Sequence, residues 1–495
     1  MNALTPHLSA LQIILPLIAA PLCTIVRLPR VTWAVAMVVS VLCSVIAFAI
    51  LEQVQTNGTI IYALGGWAAP WGIEYRIDDA NAFVLLIISV INVFGILYAR
   101  ASIPSELPDD RISWLYTAWL LCFTGLCGIT ISGDVFNVFV FLEVSSLSTY
   151  ILVSFGTDRR ALTAALRYLI VGTVAATFYV IGIGLLYALT GTLNMADLAQ
   201  RLPDVAAPRT VLVAFGFIAV GLSIKMALFP FHSWLPNAYA FAPNAVTAFL
   251  AGTATKAAIY VFMRLVLTIF PAGFFANSTV AYLIILAAGI AGAFVASTIA
   301  FFRKDLKRMF AWSSIGQIGY MAIGLGLATS AGVAASFLHL FNHALMKTAV
   351  FMAIGCLFVT TGSTTLDSLK NAGRTMPWTT AAILIGGLSL IGIPFTTGFV
   401  SKWYLVTAAL ELDMWWLAAL VLAGSLVTAA YVWKVVETAY FRPDPDSTCT
   451  RSEAPLSLLI PTWVLVIANI YFGVNAQFTG AQALRAAEAI FGFSS

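Results

Sequence analysis

Apolar stretches of about 20 residues, each closed by a short polar turn, recur along the whole chain. Coiled as helix at ~1.5 Å per residue, such a stretch matches the ~30 Å hydrocarbon thickness of a bilayer. Backbone groups in lipid must be satisfied internally, and a helix does this within one segment. Fourteen stretches can be bounded, at about 8–26, 31–51, 80–98, 113–132, 134–155, 161–190, 210–234, 244–270, 280–301, 309–327, 332–359, 378–410, 415–440 and 456–472. The pattern predicts an all-α, polytopic membrane protein.

Composition removes the alternatives. Hydrophobic residues make up 61% of the chain and charged residues 9%, against about 25% charged in a soluble domain. The net charge of +4 is scattered, with no basic run suited to nucleic acid. The first stretch contains Pro16 and Pro21, lacks a preceding basic residue and is followed by Arg27 and Arg30 without a small-residue cleavage site, so it reads as a span and not a signal peptide. The six cysteines, Cys449 among them, have no metal-ligand spacing and read as packing residues. No nucleotide loop or haem-type ligand pair occurs, so neither cofactor nor metal is expected.

With the N-terminus outside, fourteen of eighteen loop lysines and arginines, Arg451 included, fall on the cytoplasmic side, leaving Arg76, Arg201, Arg209 and Arg485 external. This positive-inside bias places both termini outside a bacterial cell (inner) membrane. Two spans are interrupted alike, the seventh by Pro230 in ALFPFHSWLP and the twelfth by Gly392 and Pro394 in IGIPFTTGFVSK. Each reads as a broken helix, fourth in a block of five spans. A five-span unit repeated in sequence must invert, and inverted repeats with broken helices mark transporters. The expected organisation is a three-helix segment (1–112), a first five-helix repeat (113–270), a second, inverted one (271–440), and a last span with external C-terminus (441–495).

Seven basic residues lie inside spans. Arg167 and Arg264 are near span ends, where a long side chain can snorkel to the headgroups. Lys434 and Glu437, three residues apart, suggest a local ion pair. Lys225, Lys256, Lys347 and Lys402 lie deeper, where a charge costs ~2.5–3.5 kcal/mol or more. The mid-span carboxylate Glu143 should face a buried base. A charge pair ~4 Å apart at an effective dielectric near 20 is worth ~4 kcal/mol, enough to reset a lysine's protonation. A lysine alternating between an apolar site and a carboxylate therefore takes and releases a proton. In SFLHLFNHALMKTAV, His339, His343 and Lys347 recur every four residues and share one helical face. They form either a proton relay or a structural hydrogen-bond network. His232, beyond Pro230, either loads protons or caps freed carbonyls.

The motifs FVFLEVSS, SIKMALFPFHSWLPNAYAFAP, GTATKAAIYVFMR, RKDLKRMFAWSSIGQIGY, HLFNHALMK and GIPFTTGFVSKW together resemble the antiporter-like subunits shared by multisubunit Na+/H+ (Mrp) antiporters and respiratory complex I, over nearly the full chain. The resemblance implies fourteen helices with inverted five-helix repeats. It assigns Glu143 and Lys225 to a modulating pair, Lys256 with His339, His343 and Lys347 to a central connection, and Lys402 to a terminal site. Length, Lys402 in place of Glu, and the lack of a long C-terminal arm make the chain most similar to the Mrp D type. Asn237, where complex I relatives often carry Asp, departs from that branch. The function implied is proton translocation within a hetero-oligomer of membrane subunits exchanging H+ for a monovalent cation such as Na+, with no reaction catalysed by the chain itself. The alternative is a proton-pumping subunit of a complex I-type oxidoreductase or membrane hydrogenase.

Overall fold

Each apolar stretch carries helix in the computed structural model, which describes residues 5–205, 208–270, 279–442 and 452–492; Cys449 and Arg451 lie outside these. The N-terminal segment holds α1 (Leu8–Val26), α2 (Pro29–Asn57) and α3 (Asp79–Ser102), with a hairpin of β1 (Ile60–Ala63) and β2 (Glu74–Ile77) between the last two. Next come α4 (Asp109–Ile131), α5 (Val135–Ser154), α6 (Arg160–Thr190), the short α7 (Met195–Arg201), α8 (Pro208–Lys225), α9 (Leu235–Phe241), α10 (Asn244–Gly252) and α11 (Ala254–Arg264). The second half runs through α12 (Thr279–Phe301), α13 (Leu306–Gly326), α14 (Ser330–Thr361), α15 (Pro377–Ile391), α16 (Thr397–Leu410) and α17 (Trp415–Val436). It closes with α18 (Leu456–Val474) and α19 (Gln477–Phe491).

Among the described residues, 11 helices are long and apolar enough to cross a membrane. Fourteen uninterrupted apolar helices are therefore not what the chain forms. The seventh stretch stops at Lys225, the twelfth divides into α15 and α16, and the tenth is α13, which begins with the charged Lys307 and Arg308. The hairpin, α7 and α19 were not anticipated. α19 buries Ala483, Ala486 and Ala487 against the bundle, and the Gln482 side chain accepts from the Gln55 amide at 2.8 Å.

The two breaks are closed alike. α8 ends because Ala227 takes the left-handed conformation (φ 59°), with Ala227 N–H on Ile224 O (3.1 Å) and Leu228 N–H on Ser223 O (2.9 Å), and Pro230, with no N–H to give, cannot resume the helix. α15 ends because Gly392 takes the left-handed conformation (φ 91°) of a helix C-cap and Pro394 cannot resume the helix. A third interruption, at Thr253, separates α10 from α11.

The two halves also share a clasp. Val135 N–H donates to Leu193 O (2.9 Å) and Met195 N–H to Gly133 O (2.9 Å). Displaced by the same number of residues, Leu306 N–H donates to Thr364 O (2.8 Å) and Leu366 N–H to Lys304 O (2.7 Å). Gly191 and Gly362, at that same displacement, end α6 and α14 in the left-handed conformation. The centre of the bundle is made by α3, α10, α11 and α14, whose side chains are mostly buried.

Candidate functional site

Lys225, the last residue of α8, is 8% exposed, and its ammonium donates to Glu143 Oε1 at 3.1 Å and to Ser146 Oγ at 2.8 Å. Glu143 and Ser146 sit on one face of α5, three residues apart, which lets one cation reach both. The pairing foreseen for Glu143 is thus made by Lys225. The carboxylate itself is the more open partner, with a quarter of its side-chain surface exposed. The indole of Trp234 donates to Ile224 O at 2.8 Å, taking up a carbonyl freed by the break, and stacks on Tyr168 at 3.9 Å.

Beside Lys225 lies a cavity of about 20 Å³ lined by Ser145, Ser146, Thr149 and Tyr168, with Ala254 and Ala258 of α11 on its far wall. That is room for one water with several hydroxyl partners. On α11, Lys256 is fully buried, and its ammonium donates to the carbonyl of Ala251, in the last turn of α10 before the Thr253 interruption. Carbonyls in the last turn of a helix lack intrahelical partners and carry the negative end of its dipole, so they accept a cation.

α14 brings His339, His343 and Lys347 onto one buried face, at 3%, 0% and 0% exposure. Lys347 donates to Phe310 O and to Ser313 Oγ, both at 2.8 Å, and Ser313 meets Tyr431 Oη at 2.7 Å. The two imidazoles lie nearly parallel with centroids 6.1 Å apart. His339 meets Ser401 Oγ through Nδ1 (2.8 Å) and Gln317 Oε1 through Nε2 (3.1 Å). Neither ring nitrogen of His343 has a hydrogen-bond partner among the described residues. Buried polar groups normally have one, so His343 is the member of the face not committed to a fixed donor or acceptor.

Lys402, on α16, is 6% exposed and donates to Leu390 O and Ile391 O at 3.0 Å each and to Ser425 Oγ at 2.8 Å. Its ammonium also lies 4.5 Å above the Tyr320 ring. Gln317 Nε2 donates to the same Leu390 carbonyl at 3.5 Å, so the amide joins His339 to the atom that holds Lys402. The second break thus supplies the acceptors for its lysine directly. Gln317, Ser401, Ser146, Ser313 and Ser425 were not singled out in the sequence. Their signal was a polar residue inside an apolar stretch, shared with many hydroxyls that only bond their own helix.

Three basic residues differ from expectation. Arg264 does not snorkel: it is 2% exposed and pairs with Asp78 at 2.6 Å, with Asn81 Oδ1 (2.9 Å) and Tyr260 Oη (3.1 Å) beside it. Lys434 does not pair with Glu437, which takes Arg442 at 2.8 Å; it donates instead to Phe301 O (2.8 Å) at the end of α12. Lys307 is no loop residue but is buried, donating to Ala242 O at 2.5 Å. Near it Glu106, in the α3–α4 connection, accepts the Asn244 N–H that opens α10, at 3.1 Å to each oxygen. Burial pushes the Glu106 carboxyl up from the usual carboxylate range, against the pull of Lys307 and the Asn244 N–H. Arg167, by contrast, points outward as expected. His232 is half-buried between the rings of Phe229 and Trp312, each about 5.1 Å away.

Residues 132–428 match the family model described as NADH:quinone oxidoreductase/Mrp antiporter, transmembrane. The N-type subunit of the NADH-quinone oxidoreductase of Desulforudis audaxviator is 37% identical over 95% of this chain and 96% of its own length. The D-type subunit of the Na(+)/H(+) antiporter of Alkalihalophilus pseudofirmus is 31% identical over 88% of this chain and 87% of its own. A chain of the membrane-bound sulfane sulfur reductase, an archaeal respiratory membrane complex, superposes with a TM-score of 0.90 at 31% identity, covering 99% of this chain and 98% of that one. A likeness of this extent, in a bundle that seats Lys225, Lys256 and Lys402 at helix breaks, makes the chain a multi-pass, antiporter-like membrane subunit belonging to the family shared by NADH:quinone oxidoreductases and Mrp antiporters.

Proposed function

We propose that this subunit carries protons along the row Glu143, Lys225, Lys256, Lys347, His343, His339 and Lys402, within a multisubunit complex that exchanges H+ for a monovalent cation, Na+ first. The observation that carries this reading is continuity. Each lysine is buried against acceptors, a single-water cavity lies between Lys225 and α11, and the parallel imidazoles with Ser401 and Gln317 lead from Lys347's face toward Lys402. Making and breaking the Lys225–Glu143 pair is the step that would reset protonation at one end of the row. The chain lies in the bacterial inner membrane with both termini outside, on the strength of the positive-inside bias. In that orientation the two clasps fall on opposite faces of the membrane, which supports inversion of the second five-helix repeat (271–440) relative to the first (113–270).

The test is transport by the complex purified with this chain and reconstituted in vesicles. A Na+-dependent flux that consumes a pH gradient without any electron donor is expected. Strict dependence on NADH or another reductant would overturn cation exchange in favour of a second reading, a redox-driven pump, which the 37% identity to an N-type oxidoreductase subunit favours.

Lys402→Glu tests the terminal position. The lysine donates to the oxygen acceptors Leu390 O, Ile391 O and Ser425 Oγ. A carboxyl placed there must hold a proton to sit against carbonyls. Flux should fall about tenfold at neutral pH and depend more steeply on pH, with the complex still assembled. Loss of the assembled complex would make the position structural.

A further inference from the structure

The row of lysines leaves one large cavity unused. It lies at the arginine-rich ends of α1 to α4, has a volume of about 770 Å³, and is lined by Arg30 and Arg100 together with Trp33, Asp109, Ile112 and Tyr116. Leu28, Arg30, Val31 and Arg100 in its wall are exposed, so it is an open hollow, large enough to take a headgroup-sized group. Trp33 is fixed by its indole N–H, which donates to Ile96 O at 2.9 Å, and the Arg100 guanidinium lies 4.6 Å over its ring. Among the described residues neither Arg30 nor Arg100 forms an ion pair with a carboxylate, although Asp109 lines the same cavity. Two guanidinium groups face one carboxylate, which leaves the cavity net cationic.

The α1–α2 side of this cavity is apolar and outward-facing. Leu28 and Val31 in its wall are exposed, as are Val38 further along α2 and Ile18, Leu22 and Ile25 on α1, as a surface covered by acyl chains would be. A net cationic pocket at helix ends, continuous with a lipid-facing apolar flank, has the chemistry of an anionic phospholipid site. Guanidinium forks bind phosphate oxygens in pairs, and Asp109 would accept from a headgroup hydroxyl.

We propose that this cavity binds the headgroup of an anionic phospholipid, with Arg30 and Arg100 on the phosphate and the acyl chains along α1 and α2. The site is independent of proton carriage, since none of the row residues lines it.

The experiment incorporates the full-length chain into bilayer discs holding phosphatidylglycerol and phosphatidylethanolamine in equal amounts, then measures the phospholipid retained on extraction by native mass spectrometry. Wild-type protein should retain phosphatidylglycerol in preference. Arg30→Gln with Arg100→Gln should lower that retention about tenfold or more, from the roughly 1 kcal/mol that each basic residue contributes at an anionic surface. Arg201→Gln with Arg209→Gln, two arginines outside this cavity, should leave it unchanged. Arg30→Gln alone, at an exposed position, should show an intermediate loss and guards against a misfolded double variant. Equal retention of the two lipids, unchanged retention in the double variant, or displacement by millimolar inorganic phosphate, which marks a free-anion site, would each overturn the proposal. So would an acidic partner helix co-purifying in the cavity in place of lipid.

Discussion

Lys225→Met should reduce proton flux through the reconstituted complex by about 100-fold while the protein still inserts and assembles. Methionine keeps the length and apolar stem of lysine and removes only the charge. What is lost is the cation 3.1 Å from Glu143 and 2.8 Å from Ser146. Glu143 then has no cation opposite it, and the making and breaking of the pair on which the proposed step depends is lost. The ~4 kcal/mol carried by such a pair at an effective dielectric near 20 is close to three factors of ten in equilibrium, so a 100-fold loss is a modest expectation. Folding should tolerate the change better than transport does, because Glu143 is a quarter exposed and its carboxylate is not sealed in the core when the cation is removed. Adding Glu143→Gln to Lys225→Met separates the two effects. The double variant should recover any lost thermal stability and none of the flux. Flux at the wild-type rate in Lys225→Met, at matched protein amounts, would remove the Glu143–Lys225 pair from the mechanism.

The elements legible in the sequence were those whose cause is local. Pro230 flags one break and Gly392 makes the other, and His339, His343 and Lys347 declare a shared face through spacing alone. Buried lysines stood out because a charge in an apolar stretch is rare whatever surrounds it. Their partners did not, because a partner is a fact about distant segments. Lys402 sits on carbonyls of the preceding helix, Lys347 on Phe310 O of another helix, and Arg264 on Asp78 far up the chain. Backbone carbonyls are the hardest of these to foresee, since every residue has one, whether a helix end frees it, as at Leu390 and Ile391, or it shares its oxygen inside a helix, as at Phe310. The Thr253 interruption was hidden for a related reason. GTATK contains no proline, and nothing in those five residues alone distinguishes a break from a continuous helix. Lys307 shows the opposite error, in which a charged run read as a solvated turn contains one residue folded inward onto Ala242 O. Position relative to a span end was a poor guide for Arg264 too, because the space above that end is filled by the loop leading into α3 and not by headgroups.

Arg264→Met should destabilise the fold by about 3 kcal/mol, the lower end of the ~3–5 kcal/mol that follows from removing one member of a buried ion pair. The lower end applies because Asp78 is not left alone: as the N-cap of α3 it also accepts from Ala80 N (3.0 Å) and Asn81 N (3.2 Å), at the favourable end of the helix dipole. Asp78→Asn should cost more, about 4–5 kcal/mol. It removes the carboxylate from a guanidinium that is 2% exposed and whose neighbours Asn81 Oδ1 and Tyr260 Oη are neutral. Unlike a lysine, an arginine cannot shed its proton to escape that cost. The double replacement, Asp78→Asn with Arg264→Met, should fall between wild type and the Asp78→Asn single variant. The measurement is the midpoint of unfolding in increasing denaturing detergent, with proton flux followed on the same samples below the midpoint. Flux per folded molecule should stay within about twofold of wild type for Arg264→Met, because its pair ties α11 to the start of α3 and touches none of the four lysines. A loss of flux with an unchanged midpoint would instead place Arg264 in the proton path, and the row would then have a branch toward the β-hairpin.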